Sequence, residues 1–150
     1  MGRFERSARG TTDTVVNTQM ADMLINAQRF AQDGNVREAL PLFRQIIKSG
    51  EPEFLQAACV GAGNLYLAGK RYELAEALYT RALESGADPD LYAEALQNLG
   101  IARYVRGDRA GACAAMQELA VIEHPVFSPL AQDNLDVLFG IGIEGSEPGF

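Results

Sequence analysis

His124, Cys59 and Cys113 have the greatest intrinsic capacity for nucleophilic, acid–base or metal chemistry in this sequence of 150 residues. A cysteine beside a histidine would make an activated thiolate, and closely spaced Cys and His would ligate zinc. Their spacing serves neither purpose. The two cysteines are far apart, and His124 precedes Pro125 in an expected turn with no motif that supplies it with an orienting partner. Both cysteines fall on helical positions expected to be partly buried, where a thiol behaves as a small hydrophobe. No glycine-rich phosphate loop, GxSxG or HExxH occurs. No catalytic, cofactor-binding or metal-ligating residue is therefore expected, and no cofactor.

The rest of the composition describes a one-domain globular chain, 47% apolar and 22% charged. Thirteen Lys and Arg against twenty Asp and Glu give a net charge of −7, which argues against a nucleic acid or an anionic membrane as partner. Arg71, Arg81, Arg103, Arg106 and Arg109 form a local excess of positive charge that solvated helix ends and turns explain. The opening MGRFERSARG has charges but no apolar run, so no secretory leader is expected, and Arg6 stands where N-myristoylation needs Ser or Thr. No stretch approaches the length of a membrane span, and two cysteines are too few for a disulfide scaffold. A cytoplasmic protein without membrane insertion is the expectation.

An internal repeat organises the middle of the chain. Segments beginning at Met20, Gln56 and Ala93, offset by 36 and 37 residues, share a pattern of small and apolar positions. Ala27, Gly63 and Gly100 align, as do Ala39, Ala75 and Ala112, then Phe43, Tyr79 and Met116, then Ile46, Ala82 and Leu119. The repeats cover about residues 20–52, 56–89 and 93–124, with a capping helix over 128–140. Residues 1–17 are expected to form a flexible arm and 141–150 a flexible tail, whose Ile141, Ile143 and Phe150 are able to dock on a neighbouring copy.

Each repeat divides into two helices. Asp33-Gly34, Gly69-Lys70 and Gly107-Asp108 make the turns, and short turns force antiparallel neighbours. Asn35, with Glu38 three residues later, reads as an N-cap, as do Asp88-Pro89 and Ser128-Pro129. Pro41 lies within the second helix, where a slight kink is expected. Gly63 and Gly100 sit in helix interiors at a cost of about 1 kcal/mol each relative to Ala, which close approach of two helix backbones would offset. The bulky Phe43, Tyr79 and Met116 would then fill the space between successive hairpins.

The third repeat, AEALQNLGIARYVRGDRAGACAAM, resembles a tetratricopeptide repeat, with Leu96, Leu99-Gly100, Tyr104, Gly107-Asp108 and Ala112 near the family's signature positions. The second, GNLYLAGKRYELAEALYTRAL, resembles it equally well, and the first, RFAQDGNVREALPLFRQII, mainly in its second half. Two departures stand out: Arg103 occupies the aromatic position of the third repeat, and Asn26 replaces an apolar residue in the first. The resemblance implies an all-α, right-handed α-solenoid of three antiparallel helix hairpins plus a capping helix.

It also implies a concave groove lined by the first helix of each hairpin. Carried over by position, the groove would present Leu24, Gln28 and Ala31, then Val60, Asn64 and Leu67, then Gln97, Asn98, Ile101, Tyr104 and Val105. Gln28, Asn64 and Gln97 are expected as exposed amides on that strip; Asn64 and Asn98 have the alternative of bonding only to neighbouring helices. Members that dock chaperone tails grip a terminal carboxylate with Lys, Arg and Asn, but the matching positions here are Leu24, Gln28, Gly61, Glu94 and Asn98. Recognition of heat-shock chaperone tails is thereby disfavoured. The implied function is a non-enzymatic adaptor or chaperone that holds an apolar peptide or helix of a partner protein. The small acidic chaperones of bacterial secretion systems are similar in size and plan. A self-assembling scaffold, whose groove or end face takes another copy, is the alternative.

Overall fold

The computed structural model describes the backbone of residues 2–86 and 88–140, with side chains from residue 14 onward. Among these residues there are seven α-helices and no strand. They are α1 (Gly2–Gln32), α2 (Val36–Ser49), α3 (Pro52–Ala68), α4 (Tyr72–Ser85), α5 (Pro89–Arg106), α6 (Arg109–Val121) and α7 (Phe127–Phe139). None that is described is long and apolar enough to cross a membrane.

The boundaries follow local chemistry. Asp88 accepts hydrogen bonds from the backbone N–H groups of Asp90 and Leu91 ahead of Pro89, and Asp108 accepts from that of Gly111. The three hairpin turns repeat one geometry. The N–H groups of Asn35, Arg71 and Asp108 each donate to the carbonyl five residues back, on Phe30, Tyr66 and Arg103, at 2.8 Å. One residue earlier, Gly34, Lys70 and Gly107 all adopt left-handed backbone, at φ 78°, 61° and 95°. The offsets of 36 and 37 residues seen in the sequence are therefore the offsets of a recurring turn.

Two capping expectations change. Asn35 makes no side-chain cap, because the turn before α2 is already closed through its backbone N–H. The helix after the third repeat starts at Phe127, so Ser128 lies inside it rather than before it. The boundary expected at residue 17 interrupts nothing in the backbone, since α1 runs unbroken from Gly2. The tail over 141–150 lies outside the described residues. Pro41 sits within α2 with its ring exposed, and the helix continues past it to Ser49.

Each helix packs on the next in the chain, and α1, α3, α5 and α7 also touch in succession. Three apolar clusters occupy the seams. One joins Ala27, Phe43, Ile46 and Phe54; the next joins Cys59, Tyr79, Ala82 and Leu99; the last joins Leu96, Met116, Leu119 and Leu135. Every cluster spans a hairpin and the first helix of its successor, so no hairpin buries both of its apolar faces alone.

The helix-interior glycines receive side chains rather than backbones. A β-carbon on Gly63 would lie 2.7 Å from Tyr79 Cε1, one on Gly100 2.5 Å from Met116 Cε, and one on Gly61 2.4 Å from Phe43 Cζ. Phe43, Tyr79 and Met116 are each almost fully buried. The glycines are the notches into which these return-helix side chains fit.

Candidate functional site

Residues 57, 61, 64 and 68 of α3 recur at helical spacing on one face, as do 94, 98, 101 and 105 of α5 and 24, 28 and 31 of α1. Between these helices lies a furrow of about 620 Å³. Gln28 and Ala31 come to it from α1, Val60, Gly61 and Asn64 from α3, and Leu91 and Glu94 from α5. Beneath it the Phe43 ring of α2, 1% exposed, fills the notch left by Gly61 between the helices. Ala57 and Ala68 keep the two ends of the α3 wall low.

Asn64 is the polar centre of this face. Its Oδ1 accepts from the Tyr79 hydroxyl at 2.6 Å and from Asn98 Nδ2 at 2.8 Å, while its Nδ2 donates to Glu94 Oε1 at 3.1 Å. One amide thus ties α3 to α4 and twice to α5. Burial, and then the negative charge of Glu94, raise the Tyr79 phenol above the ordinary tyrosine range. Among the described residues, Glu94 is the only ionisable side chain that lines the furrow.

The structure distributes the expected groove residues unevenly. Gln28, Ala31, Val60 and Asn64 line the furrow, Val60 being only 3% exposed. Asn98 reaches it through its bond to Asn64. Ile101 and Val105, 36% and 53% exposed, continue the α5 stripe one and two turns further on. Leu24 and Leu67 are half-buried and pack onto the first and second clusters. Tyr104 meets the edge of Phe139 on α7, ring centroids 6.0 Å apart, so α7 takes up much of that side chain.

Gln97 is a correction. It is 8% exposed, and its Oε1 is buried without a hydrogen-bond partner. Its helix α5 is covered by α3, α4, α6 and α7, which leaves a narrower free stripe than on α1. Sequence reasoning passed over Ala57 and Ala68 as lining residues, and it placed Gly61 and Glu94 only at positions of the carboxylate clamp that the resemblance implies.

Other polar clusters are occupied internally. Arg103, in the position held by Phe30 and Tyr66 in the earlier repeats, pairs with Glu76 of α4 at 3.1 Å and donates to the Gly111 carbonyl at 3.2 Å. Arg106 reaches the second oxygen of Glu76 at 2.9 Å. The Arg109 guanidinium lies over the rings of Tyr104 and Phe139. This local cationic excess is largely neutralised or stacked in place.

A smaller hollow of about 380 Å³ lies beside His124, Asp90 and Tyr92. The imidazole is engaged at both nitrogens: Nε2 is 2.8 Å from Asp90 Oδ1, and Nδ1 lies 3.2 and 3.1 Å from the Val126 and Phe127 backbone nitrogens. Those N–H groups make Nδ1 the acceptor, which places the proton on Nε2, facing Asp90. The His124 N–H in turn donates to Ser128 Oγ at 2.8 Å, a reciprocal arrangement that starts α7. His124 thus serves as a helix cap in this structure. Cys59 is fully buried, and burial raises its thiol above the ordinary value. Among the described residues no group of three or more His, Cys, Asp or Glu is placed to hold a metal ion.

Compared with protein-family models and with curated proteins, the sequence matches none.

Proposed function

We propose that this chain is a protein–protein interaction module without catalytic activity. On this reading it is a tetratricopeptide-like, right-handed solenoid of three hairpins with α7 as its cap, acting as an adaptor or chaperone. It holds an apolar peptide or helix of a partner protein in the furrow across α1, α3 and α5. The single observation that supports this most is one furrow of about 620 Å³ to which α1, α3 and α5 each contribute side chains, with Gly61 and Phe43 among its lining. An open groove with a small-residue floor lets another backbone approach, and the amides of Gln28 and Asn64 at its wall suit the polar groups of a peptide. Two or three apolar anchors, each worth about 1.5–3 kcal/mol on burial and offset by association costs, correspond to micromolar affinity.

The test is affinity capture with the wild-type chain and an Ala68→Trp variant, which blocks the furrow at an exposed position. Partners lost with the variant, its helical circular dichroism unchanged, are the expected result. Partners retained in full contradict the assignment.

Self-assembly is favoured by a different observation. Leu130 and Val137 of α7 and Val126 just before it are 43%, 81% and 64% exposed. Light scattering decides it: a concentration-independent monomer removes this reading.

A further inference from the structure

We propose that the occupant of the furrow is a basic apolar peptide, in which a Lys or Arg beside a bulky apolar residue places its cation on Glu94. The inference rests on the furrow being the binding face and deepens that reading by naming the chemistry of the partner.

Glu94 is half-buried on the wall of the furrow and is its only ionisable lining residue among those described. The hydrogen bond it accepts there comes from a neutral amide, Asn64 Nδ2, at 3.1 Å. Among the described residues no Lys, Arg or His lines the furrow to neutralise it. A purely apolar ligand covering that carboxylate would strip its water and return nothing. An acidic ligand would add repulsion in a site already partly shielded from solvent. A ligand that brings a cation converts the same carboxylate into a charge-assisted hydrogen bond. The apolar half of the ligand has its place alongside: Asn64 links Glu94 directly to α3, whose Ala57, Val60, Gly61 and Leu65 give the furrow its apolar lining. A cation on a flexible stem and a bulky side chain a few residues apart span adjacent helices. The field of the whole chain works in the same direction, since a net charge of −7 draws basic segments and repels acidic ones.

The test starts from a random-sequence dodecapeptide display library selected on the full-length chain. Selected peptides are resynthesised with a fluorophore, and each basic residue is replaced in turn by norleucine, which keeps the stem and removes the charge. Expected are peptides enriched in Lys or Arg close to an aromatic or large aliphatic residue. One norleucine replacement should weaken binding to the wild type about tenfold and have little effect on binding to Glu94→Gln. The Gln carbonyl still accepts from Asn64, so that variant keeps the fold, and circular dichroism verifies it. Glu94→Lys should reverse the preference toward acidic peptides. If peptides bind, are displaced by Ala68→Trp and yet tolerate every norleucine replacement and Glu94→Gln, the cation assignment is overturned while the furrow stands. A selection yielding no peptide sensitive to Ala68→Trp overturns both.

Discussion

The Tyr79 hydroxyl donates to Asn64 Oδ1 at 2.6 Å, joining the most deeply buried tyrosine to the polar centre of the furrow. Core packing and groove chemistry therefore share one side chain. Tyr79→Phe removes one donor and leaves Asn64 Oδ1 bonded to Asn98, a loss of about 1 kcal/mol. Asn64→Ala leaves the Tyr79 hydroxyl, the Asn98 amide and Glu94 without this partner and should cost about 2–3 kcal/mol. Urea unfolding followed by circular dichroism measures both, and equal effects would refute the hub.

The helix-interior glycines should not respond alike to alanine. At Gly63 the new methyl meets the Tyr79 ring, which packing and its hydroxyl bond hold in place. Overpacking of about 1–3 kcal/mol should outweigh the gain of about 1 kcal/mol in helix propensity. At Gly100 the methyl meets the terminal carbon of Met116, a flexible thioether that has other rotamers. Gly63→Ala is expected to lower the melting temperature by several degrees, and Gly100→Ala to leave it nearly unchanged.

Lys70 holds the left-handed turn position that Gly34 and Gly107 hold in the other hairpins, at φ 61°. Its side chain is exposed. Lys70→Gly should therefore stabilise the fold by about 1 kcal/mol, against the usual direction of a glycine substitution. Thermal denaturation gives the sign directly.

Alkaline titration probes the same core. The folded state holds the Tyr79 proton more tightly than the unfolded chain does, because burial and Glu94 raise its phenol. The stability tied to this proton is fully present below the ordinary tyrosine value of about 10 and is lost as pH rises beyond it. Tyr92 is also raised, chiefly by its hydrogen bond to Glu118, so the control must be specific. Between pH 9 and pH 11 the urea midpoint of the wild type should fall more than that of Tyr79→Phe.

Helices were legible from the sequence because their punctuation is local: Asp88-Pro89, Gly107-Asp108 and Asp33-Gly34 each act within a turn of chain. The hairpin turns were legible because their chemistry recurs at nearly constant offset. The furrow was legible only in part. The resemblance, carried over by position, put Asn64 and Gln28 on the groove face, but the burial of Gln97 depends on α5 being covered from several sides, and no local signal carries that. The notch at Gly61 was missed because the side chain that fills it, Phe43, comes from the preceding hairpin. The role of His124 was hidden because its partners are backbone N–H groups of a turn and Asp90, more than thirty residues earlier.

The most direct test of the central claim is amide chemical-shift mapping of the isotope-labelled chain with a selected Lys-bearing peptide. The account predicts saturable shifts confined to the backbone amides of Gln28, Gly61 and Ala68 and the side-chain amide of Asn64. Shifts along Val126, Leu130 and Val137, with these four signals unmoved, would contradict it.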